Sequence, residues 1–90
     1  MNIKWNEEKN IKLILDDTRG NIGFEDIKEK ILNDEIIVIL PNDNYDNQEI
    51  YVFDFYGYPV ACPFVKNKEE IFLKTLYKCR KYKKYLKNHI

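Results

Sequence analysis

Histidine is almost missing from this 90-residue chain: His89 is the only one, and cysteine is represented by Cys62 and Cys79 alone. Two cysteines are too few for a disulfide framework, and they form no CxxC pair. A closed zinc site wants four ligands, so neither a metal site nor a cofactor is expected. Cys79 would need an imidazole to act as a nucleophile, and His89 sits in a terminus expected to fray. Both cysteines therefore read as small apolar residues of the interior. Glycine is scarce as well. Gly20, Gly23 and Gly57 compose neither a phosphate-binding loop nor a dinucleotide fingerprint. The longest apolar run, "IIVIL", is far short of a membrane span. The opening "MNIKWNEEKN" shows no apolar segment behind a basic start, so no secretory signal is expected and the cytoplasm is the expected location.

Polar low-complexity tracts are absent too, and 44% of the residues are hydrophobic, which favours one folded domain over residues 1–90. The chain is formally neutral, but its charge is not spread evenly. Residues 1–65 carry six bases and thirteen acids; residues 66–90 carry nine bases and two acids. From Lys74 onward there is no acid at all. Tyr77, Tyr82 and Tyr85 are set among Lys74, Lys78, Arg80, Lys81, Lys83, Lys84 and Lys87. A like-charge block is often only a solvated face. Aromatic rings between cations are also what single-stranded nucleic acid uses, through stacking and phosphate attraction.

The pattern along the chain predicts a short strand at "IKW", then a helix capped by Asn6 with Glu7 and Glu8 in its first turn. Ile11, Ile14 and Leu15 supply the helix's apolar stripe, and Gly20 should terminate it. A second helix begins near Phe24, with Phe24, Ile27, Ile31 and Leu32 on its inner face. Asp16, Asp17, Glu25 and Asp26 then lie at helix ends, which explains them without catalysis. Trp5 reads as the apolar residue packed just ahead of a helix cap. Strands follow at "EIIVIL", "EIYVFDFY", "VACPFV" and "EIFLKTLY". In the second of these, Tyr51, Phe53 and Phe55 share one face, and Ile50, Val52 and Asp54 the other. The "YGY" link makes a hairpin, and Pro63 points to an edge strand or a bulge. From about Lys78 the chain reads as a helix pinned by Cys79, Tyr82 and Leu86. The expected fold class is α+β: two N-terminal helices, a four-stranded mainly antiparallel sheet and a C-terminal helix.

Lys74 interrupts an otherwise apolar strand. Strict alternation places it with Phe72 and Leu76, opposite Ile71, Leu73 and Thr75. Its face can be plain solvent, or the floor of a cleft that Arg80 and Lys81 reach from the first turn of the last helix. Converging cations suit a scissile phosphate, because stabilising charge on a pentacoordinate phosphorus is the larger catalytic contribution. RNA carries its own nucleophile, the 2′-hydroxyl, so a basic cleft without metal or histidine is compatible with RNA cleavage.

Four segments, "KWNEEKN", "GFEDI", "NQEIYVFDFYGYPVACPFV" and "EIFLKTLYKCRKYKKYL", resemble in order the BrnT-like toxins of bacterial type II toxin–antitoxin systems. The resemblance covers nearly the whole chain. Trp5, Asn6, Lys9 and Asn10 match the opening motif; Phe24, Glu25 and Asp26 match the second helix; Arg80 and Lys81 match the basic pair after the last strand. Asn6 stands where Asp is usual, Cys79 replaces a typical Ser, Tyr82-Lys83 replaces a pair of small residues, and "TRGNIGFED" is one residue longer than the usual link. The resemblance implies a RelE-like fold and RNA cleavage that inhibits translation. It also implies a cognate antitoxin, typically of ribbon-helix-helix type, through which the pair binds operator DNA. On this reading Lys74, Arg80 and Lys81 are catalytic, and Lys78, Lys83, Lys84, Tyr85 and Lys87 attract RNA, with the ribosome as a further possible partner. Two rival readings use the same face: a module that binds nucleic acid or the ribosome without cutting, and an interaction domain whose basic helix docks on an acidic partner.

Overall fold

The computed structural model describes residues 2–87. Strand β1 (Asn2–Trp5) runs into helix α1 (Glu7–Ile14). Asn6 caps the helix as expected, its side-chain oxygen accepting from the Lys9 N–H at 3.0 Å. The helix stops well before Gly20. Asp16 accepts from the Thr18 N–H at 3.0 Å and turns the chain aside, and the Asn21 Nδ2 donates to the freed Ile14 carbonyl at 2.7 Å. A 3-10 turn, Asp17–Arg19, comes next; Gly20 ends that turn rather than the helix, at a φ of 73°.

The inner face of α1 also differs from its apolar stripe. Asn10 and Leu13 are buried, whereas Ile11 and Leu15 are 53% and 75% exposed and Ile14 is 39% exposed. Asn10 is held inward by its hydrogen bonds. Its Oδ1 accepts from the Phe24 N–H at 2.7 Å, and its Nδ2 donates to Glu7 at 3.0 Å and to Glu25 at 3.4 Å. A fully buried amide is tolerable only when it is bonded in this way. Helix α2 (Phe24–Leu32) starts on that bond, and Asp26 closes the same turn by accepting from the Gly23 N–H at 2.9 Å. Phe24 and Ile27 are buried as expected, but Leu32 is 67% exposed. Gly23, just ahead of α2, packs closely against α1. A Cβ there would lie 2.8 Å from Ile14 Cγ1 and 2.9 Å from Asn10 Oδ1. Gly23→Ala is expected to cost about 1–3 kcal/mol through overpacking, readable as a lower midpoint in urea; an unchanged midpoint would mean the junction yields freely.

Strands β2 (Val38–Pro41), β3 (Glu49–Phe55), β4 (Tyr58–Asn67), β5 (Glu70–Leu73) and β6 (Tyr77–Lys78) complete one mixed sheet of order β1-β5-β4-β3-β2, with β6 also paired to β4. The fold class is α+β, but the sheet has six strands rather than four. β1 adds to the edge in parallel with β5, while the other pairings are antiparallel. The β3–β4 hairpin turns on Tyr56 and Gly57, both at positive φ (56° and 84°), which matches the right-handed twist of the two strands. Tyr51 and Phe53 lie on one face with Leu13, Ile22, Phe24, Ile27, Cys62 and Phe64, under α1 and α2. Tyr51 stacks on Phe64 with ring centroids 3.7 Å apart. Ile50, Val52 and Ala61 lie on the other face, beneath Tyr77, Cys79, Tyr82 and Leu86. The tail therefore packs on the sheet face opposite α1 and α2.

The predicted strand "EIFLKTLY" is split into β5 and β6 by a bulge. Phe64 pairs with Leu73 and Ala61 with Tyr77, so the β5–β6 side carries one extra residue. The Lys74 N–H donates to the Pro63 carbonyl at 2.9 Å, which leaves Thr75 and Leu76 together opposite Cys62. Strict alternation fails here: Leu76 joins Ile71 and Leu73 in the core under α1 and α2, and Tyr77 swings to the other face. Pro63 is not on an edge strand but in buried, central β4. Its carbonyl faces the bulge, so its missing N–H falls where the ladder is already irregular. The C-terminal helix starts later than Lys78. Residues 77–78 pair as β6, Arg80–Tyr82 form a 3-10 turn, and helix α3 is Lys83–Lys87. No helix among the described residues is long and apolar enough to cross a membrane.

Candidate nucleic-acid interface

Lys74 stands at the bulge between β5 and β6 and is exposed. Its backbone is fixed by the bond to Pro63, and its Nζ lies 5.1 Å over the Phe72 ring. Two clefts meet at this lysine. One, of about 630 Å³, runs along α1 and is lined by Lys9, Lys12, Arg19 and Phe72 besides Lys74, with Glu8 and Asp16. Arg19 is tied to Asp16 at 3.5 Å. The other, of about 570 Å³, lies under the loop 42–48 and is lined by Lys9, Asn42, Asn44, Tyr45, Gln48, Pro63, Lys74, Thr75 and Tyr77. The second contains two amines, three amides and two phenols, and no carboxylate.

Tyr77 reaches this cleft only because the bulge turns it away from the α1–α2 core. Burial, together with nearby Tyr82 and Cys79, raises its phenol above the ordinary tyrosine value, so the hydroxyl stays a hydrogen-bond donor. Lys9 comes from the first turn of α1, projected to the sheet end by the β1–α1 junction. Both were absent from the site expected from sequence. Lys9 carried a signal in its place in the opening motif; Tyr77 carried one in its place among the tail cations, although strict alternation set it on the other face.

The remaining expected site residues divide into two groups. Arg80, Lys81, Lys83 and Lys84 are exposed on the tail, and none pairs with a carboxylate among the described residues. Lys81 lies 5.2 Å over the Tyr82 ring and Lys84 lies 5.3 Å over Tyr85. Tyr82 and Tyr85 are themselves 6.0 Å apart, forming an aromatic strip between cations. Neither Arg80 nor Lys81 lines a cleft with Lys74, so the convergence expected for the three is not seen as one cavity. Lys78 is separated from the tail cations. It points to the α1–α2 face, 5.4 Å over Tyr58, in a small hollow with Gly20, Ile22 and Tyr56. Lys87 ends α3; the expectation for its side chain, like that for His89, lies outside the described residues.

Four acids gather elsewhere, around Lys30. Asp26, Glu29, Glu35 and Asp54 line two shallow clefts at the β3–β4 hairpin, the far end of the sheet from Lys74. Cys62 is fully buried and its thiol is pushed well above the ordinary value, which leaves it inert. Among the described residues no three His, Cys, Asp or Glu side chains gather as a metal site would need. Comparison with family models, curated proteins and solved structures found no match.

Proposed function

We propose that this chain is an RNA-cleaving toxin of the BrnT-like, RelE-like kind, restrained by a cognate antitoxin. The observation that carries the reading is the carboxylate-free cleft in which Lys9 and Lys74 stand beside Tyr77, with the unpaired tail cations nearby in sequence. In this mechanism the 2′-oxygen bonds to the adjacent phosphorus as its proton leaves to solvent, and the bond to the 5′-oxygen breaks as that oxygen takes a proton from solvent. The products are a 2′,3′-cyclic phosphate and a 5′-hydroxyl. Lys74 and Lys9 oppose the charge that builds on the phosphoryl oxygens, and Tyr77 donates a hydrogen bond to them. Arg80, Lys81, Lys83 and Lys84 hold phosphates along the strand. The antitoxin, of ribbon-helix-helix type, neutralises the protein by covering the Lys9–Lys74 cleft and the tail, and carries operator binding for the pair.

An RNA oligonucleotide incubated with the purified protein in EDTA should be cut to cyclic-phosphate ends, while DNA of the same sequence stays intact. Cleavage of both would point to a different nucleophile. A second reading is favoured by the absence of histidine and carboxylate from the 570 Å³ cleft, since these are the usual proton carriers. On that reading the protein binds RNA or the ribosome without cutting. Salt-sensitive binding with the RNA left whole would establish it and sink the first.

A further inference from the structure

We propose that the cleft under loop 42–48 is a nucleobase subsite for single-stranded RNA. Tyr45 stacks on one base, the amides of Asn44 and Gln48 read its edge, and Lys9 and Lys74 hold its phosphate. The inference rests on the RNA reading above and adds a source of base selectivity to it.

The loop is built to hold a shape. Its ends are tied by Asn42 N–H to the Gln48 carbonyl at 3.3 Å and by Asn42 Nδ2 to Gln48 Oε1 at 3.3 Å. Inside it, Tyr45 N–H donates to the Asn42 carbonyl at 3.3 Å, Gln48 N–H to the Tyr45 carbonyl at 3.1 Å, and Asn44 N–H to Asn42 Oδ1 at 3.0 Å. A loop closed by five such bonds presents its side chains with little ordering left to do on binding. What it presents is Tyr45, 58% exposed and stacked on no other ring among the described residues. Asn42 is consumed by the loop. The Asn44 amide makes no hydrogen bond among the described residues, and Gln48 keeps its Nε2 free, so donors and an acceptor remain for a base edge. Asp43 and Asp46 belong to the same loop but line no part of the cleft. Its volume of about 570 Å³ lies within the range that holds a small ligand. Unstacked bases of single-stranded RNA are recognised in this manner, by an aromatic face and a polar edge reader next to a cation.

The test uses fluorescent homopolymeric tetranucleotides of A, C, G and U with 2′-O-methyl sugars, so that binding is measured with cleavage blocked. Wild type should rank the four. Tyr45→Ala should weaken the best by roughly tenfold, and Tyr45→Phe should not. Asn44→Ala should flatten the ranking. Both residues are exposed, so their loss leaves the fold in place. If wild type binds the four equally, or Tyr45→Ala and Asn44→Ala bind as wild type does, the subsite is wrong while the RNA reading survives. If wild type binds none of the four and leaves unmodified RNA whole, both fall together.

Discussion

Replacing Lys74 with alanine is expected to slow RNA cleavage by roughly two to three orders of magnitude, about 2–4 kcal/mol of transition-state stabilisation. The side chain is exposed and joins no ion pair among the described residues; its one ring contact is Phe72. An exposed cation–ring contact is worth about 0.5–1 kcal/mol, so the thermal midpoint should barely move. Its position, by contrast, is well fixed, because the ladder bond to Pro63 anchors its backbone. Lys74→Arg should recover part of the rate, since the charge is kept while its point of delivery shifts. Lys78→Ala is the internal control: an equally basic residue of the same segment, turned to the other face, and its loss should change the rate by less than about twofold. Arg80→Ala should mostly weaken binding and lessen its salt dependence. Were Arg80→Ala the more damaging of the two, the reacting phosphate would lie over the tail and not in the cleft. Equal, small effects from Lys74→Ala and Lys78→Ala would remove the catalytic claim altogether.

Phe24→Ala should lose about 3–5 kcal/mol of stability. A chain of this length has roughly 5–13 kcal/mol in all, so the variant would be partly unfolded at mild denaturant. Phe24 is completely buried, and its ring stacks on Trp5 at 6.0 Å. It links the first strand to the second helix, and its own N–H is the donor that satisfies buried Asn10. Asn10→Ala strands that donor and should cost about 1–3 kcal/mol by itself. The two residues share one junction, so the double variant should lose less than the sum of the singles. Urea titration of the four proteins decides this. Strict additivity, or a Phe24→Ala loss below about 1 kcal/mol, would show that the junction is not a unit.

The parts legible in the sequence were those governed by near neighbours. The Asn6 cap, the start of α2 at Phe24, the alternating β3 and the Tyr56–Gly57 hairpin each depend on a few consecutive residues. So does the pinning of the tail by Cys79, Tyr82 and Leu86. The α1 face was misread because hydropathy ranks Asn10 as polar, while hydrogen bonds to distant Phe24 and Glu25, with one to Glu7, make it an interior residue. Leu15 and Ile11 were left outside in exchange. The bulge was invisible for a related reason: nothing local marks Thr75–Leu76, and it exists to match β4 on one side with both β5 and β6. One inserted residue then reversed the facing of Leu76 and Tyr77. The candidate site was half visible for the same cause. Lys74 and the tail cations announced themselves by charge, but the cleft is closed by Lys9 and by loop 42–48, which only the folded sheet brings near.

The parallel pairing of β1 with β5 also dictates when this molecule can become whole. Asn2 meets Glu70 and Trp5 meets Leu73, so β1 finds its place only once distant β5 is available. The β3–β4 hairpin needs only a two-residue closure, whereas this edge must gather a loop spanning most of the chain. On the ribosome, residues 2–5 wait until residues 70–73 have emerged. The geometry that holds Lys9 beside Lys74 therefore waits on that long-range closure. A folding chain thus carries its own delay before the two lysines stand together.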